Sequence, residues 1–315
     1  MSDSDPTRAL TGSPDLAGGP GRSGLLLGRY RLEAAIGSGG HGSVWRAFDA
    51  KLERSVAVKV LARSSAAHDR RAEREARAAA RLNHPGIVAL YEFGEDADAV
   101  YLVSELVDGR TLADLEGDGL VSDRDLAEIG VALCDALAHA HRKQVVHRDV
   151  KPQNVLVVAD PAAGAGFVKL TDFGVARLLS EDPLTVTGGV VGTVAYMAPE
   201  QAAGQQVAEP ADVYSLALTL HEGWSGLRPG GPSSTHRPLT QLRRDLPPTI
   251  AAVIDRCLVT APDQRPGLDE LRLTLEQALT DLADEGGLVA PGPLERIGLT
   301  IPLRPRANVP GLPSA

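Results

Sequence analysis

A chain of 315 residues with 43% hydrophobic content is long enough to bury a substantial core, divided between two lobes. Its net charge of −9 argues against general nucleic-acid binding, and its two cysteines, with no secretion signal ahead of them, give no disulfide framework. No run approaches the roughly 18 to 20 apolar residues of a membrane helix, and Leu25-Leu26-Leu27 is too short for a signal core, so a soluble, cytoplasmic protein is expected.

Residues 1–27 are rich in Ser, Asp, Gly and Pro and read as a disordered tail. Ile36-Gly37-Ser38-Gly39-Gly40-His41-Gly42-Ser43-Val44 follows as G-x-G-x-x-G-x-V. Its glycines let backbone close over phosphates and present N–H donors with no Cβ in the way. Dinucleotide-binding folds carry a similar pattern, but there a helix follows at once. Here Ser43–Phe48 alternates as a strand, which favours a hairpin lid. Val56-Ala57-Val58-Lys59 is a second strand, ending in one of only five lysines among 32 basic residues. An Ala- and Arg-rich helix carries Glu73 and Glu75 and stops at Asn83-His84-Pro85.

Tyr101–Gly109 reads as a strand running into a linker. Ser122-Asp123-Arg124-Asp125 fits a capping box, and Leu126, Ile129, Leu133, Leu137 and Ala140 follow at helical spacing. His139 and His141 read as ordinary helix-end residues. Next comes the most informative run, His147-Arg148-Asp149-Val150-Lys151-Pro152-Gln153-Asn154. An acid, a lysine and an amide on one short loop are what phosphoryl transfer requires: a group to receive a hydroxyl proton, a cation for the moving phosphoryl and a Mg²⁺ ligand. Ala159–Gly166 is turn-rich and lengthens a surface hairpin, and Asp172-Phe173-Gly174 supplies a second carboxylate. Cys134 and Cys257 fall in helices and read as small buried hydrophobes.

Together these motifs, in this order, resemble the bacterial eukaryotic-like serine/threonine protein kinases over residues 28 to 280. The resemblance implies an α+β, bilobal protein kinase fold, with a small mainly-β N-lobe holding one key helix and a larger mainly-α C-lobe. It divides the chain into an N-lobe and hinge at 28–107, a C-lobe at 108–284 and a Pro/Gly-rich flexible tail at 285–315. It implies ATP and Mg²⁺. The nucleotide would lie under Ile36, Gly37, Gly39 and Gly42, between Val44, Ala57 and Leu156, with hinge backbone contacts at Glu105 and Val107. Lys59, held by Glu75, would grip the phosphates. Asn154 and Asp172 would hold the metal, Asp149 would take the proton, and Lys151 would stabilise the γ-phosphoryl. Lys151 is the Ser/Thr variant of this loop rather than the tyrosine one.

The resemblance also implies protein substrates, an activation segment from Gly174 to Glu200 with phosphorylation at Thr185 and Thr187 received by Arg148, and an ion pair between Glu200 and Arg265. Asp212 would anchor the catalytic-loop backbone. A homodimer acting on itself in trans is one implied route to activation. Ser104, small at the gatekeeper position, should open a pocket behind the adenine. One departure concerns substrate docking: between Trp224 and Leu246 the chain is short and full of helix breakers, so the helix the family usually has here should be truncated or absent. Arg228, Arg237, Arg243 and Arg244 make that region basic. A pseudokinase scaffold is the main rival reading and a small-metabolite kinase the third; no catalytic position is substituted, and the complete Ala198-Pro199-Glu200 segment weakens the third.

Overall fold

The computed structural model describes residues 25–39, 42–62, 66–159, 161, 166–173, 194–232 and 234–283. Strands β1 (Tyr30–Gly39), β2 (Gly42–Asp49) and β3 (Arg54–Ala62) form a meander, followed by helix α1 (Ala66–Ala79). Strands β4 (Leu90–Glu95) and β5 (Ala99–Glu105) complete an antiparallel sheet in the order β1-β2-β3-β5-β4. Side chains alternate across it as strand geometry requires. Val56, Val58, Tyr101 and Val103 share one buried face with Tyr30 and Ala47. Leu61, Val100 and Leu102 pack instead with Ala76 of α1.

Register then does positional work. Lys59 pairs with Val44 on β2 and with Leu102 on β5, while Ala57 pairs with Ser104. Directly opposed residues share a face, so these positions converge on one side of the sheet. At the β1–β2 turn Gly42 has φ +107°, and a Cβ there would sit 2.2 Å from the Val60 carbonyl oxygen. Only glycine fits. The sheet also curls enough for its two outer strands to be bridged. Arg29, beside β1, donates to both carboxylate oxygens of Asp49 at 2.7 Å and to Glu92 of β4 at 2.9 Å, and Tyr30 Oη donates to Glu92 at 2.5 Å. The Arg29 guanidinium holds the Asp49 carboxyl down to about 2.

The larger lobe is mainly helical. It contains β6 (Gly109–Thr111), α2 (Leu112–Gly117), α3 (Asp123–Arg142), β7 (Val155–Val158), β8 (Val168–Leu170), α4 (Pro199–Ala202), α5 (Glu209–Ser225), α6 (Leu239–Leu242), α7 (Pro248–Cys257) and α8 (Leu268–Ala278). Helix α3 starts at the expected capping box, with Asp125 N donating to Ser122 Oγ and Ser122 N donating to the Asp125 carboxylate. Its apolar stripe, Leu126, Ile129, Leu133, Leu137 and Ala140, is fully buried. Cys134 and Cys257 are buried free thiols, and burial pushes both up, Cys257 to about 12. Strands β7 and β8 pair antiparallel, so Ala159–Gly166 belongs to their hairpin connection.

Glu200 and Arg265 meet as a buried bidentate pair, at 2.7 and 2.8 Å, with Arg265 also donating to the carbonyls of Val259, Thr260 and Pro210. Those extra acceptors satisfy the guanidinium in a site that would otherwise penalise its burial. After α5 the chain turns at Gly226, φ +71°, and among the described residues the only helix before α7 is the four-residue α6. Helical structure in this stretch is thus a single turn. The expected basic patch is smaller than the sequence implies. Arg243 is 14% exposed and binds Asp123 and Asp245, because the fold brings α3 and the 245 turn against it.

Four histidines sit in protein where burial disfavours the charged form: His84 and His139, whose rings lie 5.1 Å apart, and His221 and His236 near Tyr214. Each is shifted below its ordinary value of 6.5, with burial the largest cause. Their depressed values mean the unfolded chain binds more protons, so stability is complete above about pH 6.5 and is lost as pH falls further. Asp49 titrates far lower and does not contribute in this window. The melting temperature is therefore expected to fall between pH 7.5 and 5.5, and less steeply in His236→Asn; identical slopes in the two proteins would contradict this.

Candidate active site

The catalytic loop is held from below by one carboxylate. Asp212 on α5 is fully buried. Its Oδ2 accepts from His147 N at 2.8 Å and its Oδ1 from Arg148 N at 2.7 Å. It also accepts from His141 Nε2 at 2.7 Å. His141 is therefore more than the ordinary helix-end residue its sequence position suggests: α3 ends where its ring reaches the same carboxylate. Arg148 has φ +69°, a left-handed conformation that costs on the order of 1 kcal/mol for a non-glycine residue. Two charge-assisted bonds at its own and the preceding amide are enough to hold it. Gln201 Nε2 of α4 donates to the Arg148 carbonyl at 3.0 Å.

Above this clamp the loop gathers three polar side chains. Asp149 is 8% exposed, and its Oδ2 accepts from Lys151 Nζ at 2.8 Å and Asn154 Nδ2 at 3.0 Å. Asn154 Nδ2 also donates to the Asp149 carbonyl at 2.7 Å. This orientation leaves the Asn154 amide oxygen for another partner. His147 links the loop to the strand below Asp172. Asp149 N donates to its Nδ1 at 3.2 Å, which places the ring proton on Nε2, and Nε2 donates to the Thr171 carbonyl at 2.8 Å. The His147 ring meets Phe173 edge-on at 4.5 Å.

Lys59 reaches across from β3. Its Nζ lies 2.6 Å from Asp172 Oδ2. The pairing with Glu75 expected from the sequence is not formed here; the carboxylate nearest to this compact ammonium is that of Asp172, brought in by a φ of +66°. Glu75 lines the same cavity of about 60 Å³, along with Lys59, Ser104, Leu102, Asp172 and Phe173. Ser104 thus borders open space.

The remaining predicted contacts surround the cleft. Ile36, Gly37 and Gly39 lie on β1 and Gly42 and Val44 on β2, with Gly37 opposite Val44 and Gly39 opposite Gly42. Ala57 is buried on β3, and Leu156 on β7 pairs with Thr111 and Lys169. Glu105 and Val107 sit where β5 leaves the small lobe. One feature here escaped the sequence reading. Glu105 takes Lys169 Nζ at 2.9 Å, so its side chain is committed to β8, and only its backbone is left for a ligand. Gly40, His41, Thr185 and Thr187 lie outside the described residues.

The donor set fits a divalent cation held jointly with phosphates. No group of three or more His, Cys, Asp and Glu among the described residues could hold a metal alone. Mg²⁺ characteristically takes one or two protein oxygens plus phosphate oxygens and waters, and the Asn154 amide oxygen with the Asp172 carboxylate is such a set.

A protein kinase domain model matches residues 30–275. Serine/threonine-protein kinase PknA of Mycobacterium tuberculosis is 41% identical over 257 residues, covering 76% of this chain and 58% of PknA. Serine/threonine-protein kinase PrkC of Bacillus subtilis is 37% identical over 253 residues, covering 76% of this chain and 38% of PrkC. This chain therefore matches little more than half the length of one relative and less of the other. The crystal structure of the Mycobacterium tuberculosis PknI kinase domain superposes with a TM-score of 0.67 at 28% identity, covering 81% of this chain and 98% of that one. Among the described residues no helix is long and apolar enough to cross a membrane. With its two-lobed fold, its buried Asp149–Lys151–Asn154 loop and this likeness over most of its length, the chain belongs to the protein kinase domain family.

Proposed function

We propose that this chain is a cytoplasmic serine/threonine protein kinase that transfers the γ-phosphoryl group of ATP, as its Mg²⁺ complex, to hydroxyls of protein substrates. The observation that carries this reading is the intact cluster of Asp149, Lys151 and Asn154 on an Asp212-clamped loop, together with the Lys59–Asp172 pair. Asp149 aligns the acceptor hydroxyl and receives its proton. Lys151 stabilises charge on the moving phosphoryl. Asn154 and Asp172 would hold the metal, and Lys59 would turn from Asp172 to the α- and β-phosphates, with Glu75 on α1 as its partner. Bound Mg·ATP supplies the transferable group and the cation that neutralises it. Most of the rate then comes from positioning and electrostatics. Nothing favours a pseudokinase, because Lys59, Asp149, Lys151, Asn154 and Asp172 all keep the residue types that the transfer needs.

Activation would follow from phosphate on Thr185 or Thr187. A phosphate adds about −1.5 to −2 charges and binds arginine bidentately, and Arg148 beside Asp149 is the natural receiver. A homodimer in which each copy modifies the other is one route to that state.

Incubation with Mg·ATP should place phosphate on Thr185 or Thr187 in the wild type and not in Asp149→Asn. Phosphosite mapping by mass spectrometry reads this directly, and nucleotide binding without any transfer would move the assignment to a scaffold. Reaction in trans should raise the autophosphorylation rate per molecule with protein concentration; a flat dependence points to reaction in cis. Ser104→Met should fill the cavity beside Lys59, weakening bulky ATP-site inhibitors about tenfold or more while leaving ATP turnover near wild type. Equal inhibition of both forms would remove Ser104 from this role.

A further inference from the structure

The shortened segment after α5 is a built surface. Leu227 N donates to Ser225 Oγ at 3.1 Å, closing the turn at Gly226. Gly231 has φ +101°, a Cβ built there would lie 4.0 Å from the Val194 carbonyl oxygen, and Ser234 Oγ donates back to the Gly231 carbonyl at 2.6 Å. Two histidines then fasten the far end. His236 Nε2 meets Tyr214 Oη at 3.0 Å, and His221 Nε2 donates to the Arg237 carbonyl at 2.9 Å. Both Tyr214 and His221 belong to α5, the helix that also carries Asp212.

The segment adjoins the turn Val194–Tyr196. Ser215 Oγ of α5 donates to the Tyr196 carbonyl at 2.8 Å, and Tyr196 Oη donates to Glu222. That turn leads directly into α4, whose Gln201 holds the Arg148 carbonyl. A polypeptide presenting a hydroxyl at Asp149 extends at most about 3.3–3.6 Å per residue, so residues one to five positions from the acceptor lie within about 18 Å of it.

Two cations stand on this surface. Arg228 and Arg237 are exposed, and neither side chain makes an ion pair or hydrogen bond among the described residues. Arg243, by contrast, is neutralised by Asp123 and Asp245. Arg228 is close enough to act electrostatically on the Tyr196 phenol, while Glu222 is engaged by that phenol. Unpaired guanidiniums beside a turn joined to the catalytic loop favour carboxylates, which they bind as a planar fork.

We propose that the 226–238 segment is a substrate shelf on which Arg228 and Arg237 select protein segments carrying Asp or Glu within a few residues of the acceptor hydroxyl. The proposal rests on the kinase reading above and specifies its substrate class.

The test uses the full chain with radiolabelled Mg·ATP and a peptide set. One Ser/Thr acceptor is flanked, on either side at one to five residues, by Asp/Glu, by Ala or by Arg. Wild type is expected to favour acidic over alanine flanks by about fivefold, the scale of one or two partly exposed ion pairs. Arg228→Ala/Arg237→Ala should lose that preference while phosphorylating the alanine-flanked peptide at the wild-type rate. Arg228→Glu/Arg237→Glu should turn it toward arginine flanks. Equal use of acidic and alanine flanks by wild type, or an acidic preference that survives in both double variants, overturns the shelf. Wild type that labels neither itself nor any peptide overturns the kinase reading instead.

Discussion

The Asp212 carboxylate is the interaction on which the active site depends. One buried anion on a buried helix fixes two consecutive amides, those of His147 and Arg148, and the ring of His141. It holds Arg148 in a left-handed conformation, and that conformation turns the next residue, Asp149, toward Lys151 and Asn154. A buried carboxylate with no partner would be costly. With three donors it becomes a rigid post, and the loop inherits its rigidity. On the proposed function, Asp149, Lys151 and Asn154 would need little reorganisation as charge moves.

The same helix organises the lobe in both directions. Toward the catalytic loop it offers Asp212. Toward the segment after Ala195 it offers Ser215, which holds the Tyr196 carbonyl, and Glu222, which accepts from Tyr196 Oη. At its end it offers His221 and Ser225 to the shortened loop. The buried Glu200–Arg265 pair closes the far side, with Arg265 lying 4.8 Å over the Tyr214 ring. The small lobe has its own lock in Arg29, which ties the ends of a curled sheet through Asp49 and Glu92.

Much of this was legible in the residues, and the reason differs from case to case. Strand alternation around Val44 and Lys59, the stripe of α3 and its Ser122 cap follow from period and local hydrogen bonding, which sequence encodes directly. The loop from His147 to Asn154 was legible because its chemistry needs fixed residue types at short spacing. Contacts between distant elements came only through the resemblance, as with Asp212 and the Glu200–Arg265 pair, or were not legible at all. Lys59 is paired with Asp172, whose backbone has φ +66°, a conformation that no local sequence signal announces. Arg243 looked like part of a basic patch because its partners Asp123 and Asp245 are chosen by packing. His141 carried no local signal at all: its role exists only because α3 stops beside α5.

The linker between α1 and β4 has a mechanical consequence. Leu170 N donates to the Gly86 carbonyl at 2.9 Å, and Val88 N donates to the Leu170 carbonyl at 3.0 Å. Through these bonds β8, two residues ahead of Asp172, is stitched to the strap that carries the small lobe. Any rocking of one lobe on the other therefore tugs the backbone that presents Asp172. Because the stitches are main-chain atoms, a survey of side-chain replacements would pass over them, and proline at 88 or 170, which removes the amide donor, is the substitution that would unpick the seam.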